Sequence, residues 1–386
     1  MRALIGTPSV SSTNSTHDQS NLPVIHLLAD WLENLGFHVS IQALPGQTDK
    51  ANLIATIGPM HKGADGLVLS GHTDTVPYDD SHWQQDPFKL TERDNKLYGL
   101  GSTDMKSFFA LAIDTASTFS AAKLKRPLTI LATADEESAM TGAQSLLKKQ
   151  LQHAKYAIIG EPTELTPIRM HKGVMMESLV VTGQAGHSSN PSLGASATEG
   201  MHLILNELLK WREELQRKHN NPLFDVSSPT MNIGSIHGGD NPNRICSHCE
   251  TQIDIRPLPG MDINHLRADL QQRLFKILPE SGKLKLAYRP IFCGVPPFET
   301  SADAKLTRLT ESLSGKTAQA VAFGTEAPYL NKLGLDTIVI GPGSIDQAHQ
   351  ANEFIASEQI QPYRNFLQRI ITKICIGQPT HRNKTQ

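Results

Sequence analysis

Four short apolar runs in this sequence end in residues able to bind a metal ion. Residues 66–70 lead into Gly71-His72-Thr73-Asp74, and residues 128–133 lead into Ala134-Asp135-Glu136-Glu137. Residues 156–159 lead into Gly160-Glu161-Pro162, and residues 337–340 lead through Gly341-Pro342-Gly343 to His349. A further acid, Asp104, stands in Gly-Leu-Gly-Ser-Thr-Asp104-Met105-Lys106, just before a helical pattern. Taken singly, each reads as a helix cap or a solvated loop residue. Taken together, they supply the imidazole and carboxylate donors that divalent ions such as zinc accept. His72, Asp104, Glu137, Glu161 and His349 make five ligands, more than the three protein ligands of one catalytic zinc. If Asp104 is shared, each of two ions receives one imidazole, one terminal carboxylate and one shared oxygen. The charges then close, because two divalent ions are balanced by three carboxylates and one hydroxide. Such a pair, about 3.5–4 Å apart, acidifies a shared water and polarises a carbonyl. Asp74, two residues after His72, is placed to accept the other ring N–H and fix the tautomer. Glu136, beside Glu137, is the carboxylate left over, and general base is the role expected of it.

These residues need a scaffold that gathers strand ends. Apolar runs alternating with helical patterns over 24–35, 105–119 and 140–151 predict an α/β domain with a largely parallel sheet, whose ligand crevice lies at the strands' carboxyl ends. The middle of the chain reads β-α-β-β-α-β. Its strands fall at 174–184, 230–236, 246–256 and 283–289, and its helices at 197–218 and 262–278. That order predicts an inserted ferredoxin-like α+β domain over 173–289, between catalytic segments 1–172 and 290–386. The polar tail 378–386 is expected to fray.

The 386 residues carry 36 Lys+Arg against 38 Asp+Glu, a net charge of −2, so nothing favours nucleic acid or an anionic membrane. No apolar stretch reaches the ~20 residues of a membrane span. Residues 1–8 lack the apolar core of ~7–15 residues that an export signal carries. With only four cysteines, a reducing cytoplasm is the expected location. The pair Cys246 and Cys249 fits an alternating strand better than a lone zinc module.

The segments Gly-His72-Thr-Asp74-Thr-Val-Pro, Gly-Leu-Gly-Ser-Thr-Asp104-Met-Lys, Thr-Ala-Asp-Glu136-Glu137 and Gly-Glu161-Pro-Thr resemble the signatures of the dizinc amidohydrolases and carboxypeptidases. That family includes the aminoacylases and succinyl-diaminopimelate desuccinylase. The resemblance implies two zinc or cobalt ions, with His72 and Glu161 on one, Glu137 and His349 on the other, and Asp104 bridging. It also implies a cis peptide after Asp104 and a homodimer joined through the inserted domain. Within that dimer His187, in Gly-Gln-Ala-Gly-His187-Ser-Ser, would serve the partner's active site. The longer segments Gly-Gly-Asp-Asn-Pro-Asn243-Arg244 and Thr325-Glu326-Ala-Pro imply a small N-acyl amino acid substrate. The expected one is N2-acetyl-L-ornithine in arginine biosynthesis, with N-succinyl-diaminopimelate or another N-acyl amino acid as the alternative. Arg244 with Asn243 is the expected partner of the substrate carboxylate, and Glu326 of its side-chain ammonium. Ser107 departs from the family's usual glycine after Asp-Met-Lys.

Overall fold

A computed structural model of the chain describes residues 1–278 and 282–377, so the polar tail 378–386 lies outside the described residues. The chain divides into two compact units. One comprises Met1–Arg169, Thr300–Gln319 and Thr325–Gln386, the other Met170–Glu299 with Ala320–Gly324. The return to the first unit thus falls at Thr300 rather than at 290. Ile291 donates to the Met176 carbonyl, Val295 pairs with Val174, and Phe298–Glu299 pairs with His171 and Met170. These bonds hold residues 291–299 to the second unit.

In the first unit the sheet runs in the order His38–Ala43, Ala51–Ile57, Leu128–Thr133, Gly66–His72, Ala154–Ile159, Asp336–Val339. The last four strands are mutually parallel, and the first two are antiparallel additions at one side. The strands Gly66–His72 and Leu128–Thr133 are buried throughout, which is why they read as unbroken apolar runs rather than alternating ones. Helices Leu22–Asn34, Lys106–Ala116 and Ile360–Ile371 contribute Leu28, Leu32, Phe108, Phe109, Tyr363 and Phe366 to one core with Leu67, Leu69, Ile130, Ile158 and Ile338.

The helix expected over 140–151 is not formed. One turn, Thr141–Gln144, is followed by a 3-10 turn, Lys148–Gln150. Met140 adopts φ +54, and Gly142 is pressed so closely on Ala134 that a Cβ would overlap its backbone. Leu147 is 52% exposed, so the apolar spacing there never forms one buried stripe.

In the second unit the four-stranded antiparallel sheet has the order Thr230–Gly238, His248–Arg256, Met175–Thr182, Lys285–Pro290. Numbered along the chain this is 2-3-1-4, the ferredoxin-like arrangement. Helices Ala197–Lys218 and Ile263–Ile277 start on caps whose side chains accept backbone N–H groups, Ser196 from Glu199 and Asp262 from His265. Their apolar stripes, Ile204, Leu208 and Trp211 on one and Leu270 and Leu274 on the other, bury against Leu179, Val181, Ile253 and Ile255. Cys249 is a buried strand residue and Cys246 precedes that strand. Among the described residues no helix is long and apolar enough to cross a membrane.

Candidate metal centre

Because four strands of the first unit are parallel, their carboxyl ends share one edge of the sheet, and each delivers a candidate ligand there. His72 is the last residue of its strand, Glu136 and Glu137 follow Thr133 by a short turn, and Glu161 follows Ile159 by one glycine. That glycine, Gly160, is required because a Cβ there would overlap the Phe108 ring. Asp104 comes from the turn before helix Lys106–Ala116, and the Asp104–Met105 peptide is cis, as the resemblance implied. His349 comes from the loop after the fourth strand, with φ +60.

The donor atoms fall into two groups joined at Asp104. His72, Asp104 and Glu161 have atoms within 4.8 Å of one another, and so do Asp104, Glu137 and His349. Asp104 turns one oxygen to each histidine, with Oδ1 3.0 Å from His72 Nε2 and Oδ2 3.7 Å from His349 Nε2. Glu161 Oε1 lies 3.8 Å from His72 Nε2, and Glu137 Oε2 lies 3.0 Å from His349 Nε2. A third group, His72, Glu136 and Glu137, meets the same distance. It would set two adjacent turn residues on one ion and leave Asp104 and His349 unused, so the pair sharing Asp104 accounts for more of the donors.

His72 Nδ1 lies 3.0 Å from the Asp74 main-chain oxygen. A carbonyl only accepts, so Nδ1 carries the proton and Nε2 is left as the donor atom facing the carboxylates. The Asp74 carboxylate has a different task from the one expected. It is 3.6 Å from the ring and instead accepts the backbone N–H groups of Glu136 (3.3 Å) and Glu137 (3.1 Å). Asp74 therefore positions the turn carrying the base, and its main chain rather than its side chain sets the tautomer.

The electrostatics of the cluster call for a cation. Burial pushes the Glu161 and Glu136 carboxyls well above the usual range, and neighbouring carboxylates add to the rise. Burial opposes ionisation of Asp104 as well, but the hydrogen bond and charge of His72 hold it below its ordinary value. Glu161 Oε1 is a buried oxygen with no hydrogen-bond partner among the described residues. An orphaned carboxylate oxygen among imidazoles and crowded acids is a donor set that divalent ions satisfy, so the residues fit two such ions.

Two further buried acids contribute: Glu326, named above only through the resemblance, and Glu353, which gave no sequence signal. Glu326 is buried, accepts from Thr133 Oγ1 at 2.8 Å and keeps Oε1 without a hydrogen-bond partner among the described residues. Burial raises its pKa to about 7. Glu353 is also buried and binds the Asp104 turn, with burial raising its pKa to about 8. Such acids bind more protons folded than unfolded. Their stabilising contribution is complete below 4.5 and is lost as pH climbs through about 7 and about 8. Lys106, which burial lowers to about 7, opposes this only above that pH. In chelator, the thermal midpoint is expected to fall as pH rises from 4.5 to about 7, and added zinc to reverse the slope. A midpoint that climbs in chelator across that window contradicts this.

The base-bearing turn is fixed from behind by Lys50, whose Nζ bonds Asp135 (2.9 Å) and Asp18 (2.8 Å), while Ser11 Oγ donates to the same Asp135 oxygen. Asp135 itself has φ +58. The Lys50 side chain is 2% exposed, so Lys50→Met leaves Asp135 buried without its counter-charge. We expect a loss of about 3–5 kcal/mol in urea unfolding. An unchanged midpoint and slope would show the pair to be dispensable.

His187, Asn243 and Arg244 lie in the second unit, where residues remote in sequence are brought together. His187 bridges to Arg244, and Ser188 N–H donates to the Asn243 carbonyl. His187 is exposed, and its Nδ1 accepts from Ser189 N–H at 3.2 Å, which leaves the ring proton on Nε2. Arg244 is exposed and bonds Asp240 through one nitrogen at 2.7 Å.

An acetylornithine deacetylase from Pectobacterium carotovorum is 47% identical over 375 residues, covering 97% of this chain and 96% of its own. An acetylornithine deacetylase from Pasteurella multocida is 46% identical over 375 residues, covering 97% of each. Among solved structures, an M20 family metallo-carboxypeptidase from Sulfolobus solfataricus superposes with a TM-score of 0.73. It is 18% identical and covers 96% of this chain and 97% of its own. A dinuclear metal binding M20 peptidase from Bacillus subtilis superposes at 0.66, with 16% identity and coverage of 97% and 96%. The model of peptidase family M20/M25/M40 matches residues 68–373, a span that includes every candidate ligand. The chain belongs to that family of metal-dependent hydrolases.

Proposed function

We propose that this chain hydrolyses N2-acetyl-L-ornithine to L-ornithine and acetate, a step of arginine biosynthesis in the cytoplasm. The observation that carries the reading is the 47% identity, over 97% of the chain, to relatives named acetylornithine deacetylase. The two donor groups joined at Asp104 supply the chemistry. In this reading His72 and Glu161 hold one zinc or cobalt ion, Glu137 and His349 hold the other, and Asp104 is shared. When bound, such ions supply Lewis acidity to the acyl carbonyl and to the attacking water.

The remaining work belongs to the chain. Glu136, with its pKa raised by burial and by neighbouring carboxylates, takes a proton from the attacking water. It returns that proton to the leaving α-amino nitrogen. Asp74, through the two backbone N–H groups it accepts, keeps Glu136 and Glu137 in fixed relation. His187, protonated at Nε2, is a donor for the developing oxyanion, and the reading places it in the partner's site of a homodimer. Arg244 with Asn243 receives the substrate's α-carboxylate. Glu326 Oε1, which lacks a hydrogen-bond partner among the described residues, is the acceptor assigned to the side-chain ammonium.

Acyl selectivity is tested by measuring acetate release from N2-acetyl-L-ornithine beside succinate release from N-succinyl-diaminopimelate. A higher kcat/KM for the acetyl substrate is expected, and a preference for the succinyl substrate would replace this reading with the desuccinylase one.

A further inference from the structure

We propose that Glu353 is a positioning residue for the metal centre, setting the shared ligand Asp104 relative to His349; this rests on the metal-dependent reading above. Glu353 is 1% exposed and is a member of none of the donor groups. Its Oε1 accepts the backbone N–H groups of Thr103 (2.6 Å) and Asp104 (2.9 Å), and its Oε2 accepts that of Gly101 (2.8 Å). Three N–H groups of one turn thus converge on the two oxygens of a single side-chain carboxyl. The main chain repeats the link. Gly99 N–H donates to the Glu353 carbonyl at 3.0 Å, and Thr103 Oγ1 donates to the Phe354 carbonyl at 2.6 Å. Phe354 in turn pairs with Tyr98 across a short antiparallel ladder.

Glu353 lies four residues after His349, on the segment that carries that ligand. The side chain therefore ties the Asp104 turn to the His349 loop, two parts of the chain separated by more than two hundred residues. Both ligands belong to the group completed by Glu137. Without the clamp, the turn N–H groups lose their partner and the Asp104 oxygens lose their fixed distance to His349. A ligand held loosely binds its ion less tightly, and groups that orient ligands typically contribute ~10–100-fold in affinity or activity.

Glu353→Gln is the informative variant. It is nearly isosteric and can keep the oxygen facing Thr103 and Asp104, but it presents an NH2 group to the Gly101 N–H. Metal content and affinity are measured by titrating the chelated protein with Co²⁺ and following its visible absorption. Far-UV circular dichroism checks the fold, and Glu353→Asp serves as the variant that retains both carboxylate oxygens. For Glu353→Gln the expected result is a ~10–100-fold weaker Co²⁺ affinity in at least one of two steps and an altered cobalt spectrum. The expected kinetics are a similar fall in kcat with KM within about twofold, and Glu353→Asp should recover part of both. A purely structural role would lower thermal stability and leave the cobalt spectrum and affinity of the folded protein unchanged, and that result overturns the proposal. If the parent itself takes up no Co²⁺, the metal-dependent reading fails. If the parent binds two ions and Glu353→Gln binds them identically, only the role of Glu353 fails.

Discussion

Glu136→Gln is expected to retain both metal ions and to lose about 10²–10⁴-fold in kcat. The amide matches the carboxylate in size but has no basicity, so it cannot accept the water proton or return it to the leaving nitrogen. Glu136 takes no part in the two donor groups joined at Asp104, so metal content need not change. Its backbone N–H stays bonded to Asp74, and the turn is also held by the Lys50–Asp135 pair. The check is kcat beside metal content by elemental analysis. Unimpaired hydrolysis would remove Glu136 from the mechanism. Loss of an ion would favour the alternative group in which Glu136 joins His72 and Glu137 as a ligand.

Asp104→Ala carries the second large effect. Asp104 faces both histidines and appears in both donor groups, whereas Glu161 appears in one. Affinity for both ions is expected to fall by more than the ~10–100-fold typical of a supporting residue. Glu161→Ala is expected to weaken one ion far more than the other. Equilibrium dialysis against Zn²⁺ distinguishes them, and loss of a single ion in both variants would show that Asp104 is not shared.

The parallel sheet and the gathering of candidate ligands at its strand ends were legible in the sequence for a physical reason. Fully buried strands leave continuous apolar runs such as 66–70 and 128–133, and a parallel sheet forces their following residues to one edge. The ferredoxin-like order was legible because its helices show helical apolar spacing, as in Met201, Ile204, Leu205 and Leu208. The 140–151 segment misled because Met140, Gly142 and the exposed Leu147 answer to a turn packed on Ala134, which periodicity does not report. Asp74 was misread in detail, since spacing put it beside His72 but said nothing of the N–H groups of a turn 62 residues on. Glu353 and Lys50 were invisible for the same reason. Each acts through backbone groups or charges distant in sequence, and neither sits in a pattern distinct from any buried polar residue. His187 and Arg244 meet through a bridge that no local pattern announces.

The central claim is tested most directly by acetate release from N2-acetyl-L-ornithine in the purified chain before chelation, after chelation, and after return of Zn²⁺ or Co²⁺. The account expects turnover at the outset, its loss in chelator, and its recovery at about two ions per chain. Turnover that survives complete metal removal, or a metal-restored protein that releases no acetate, would contradict it.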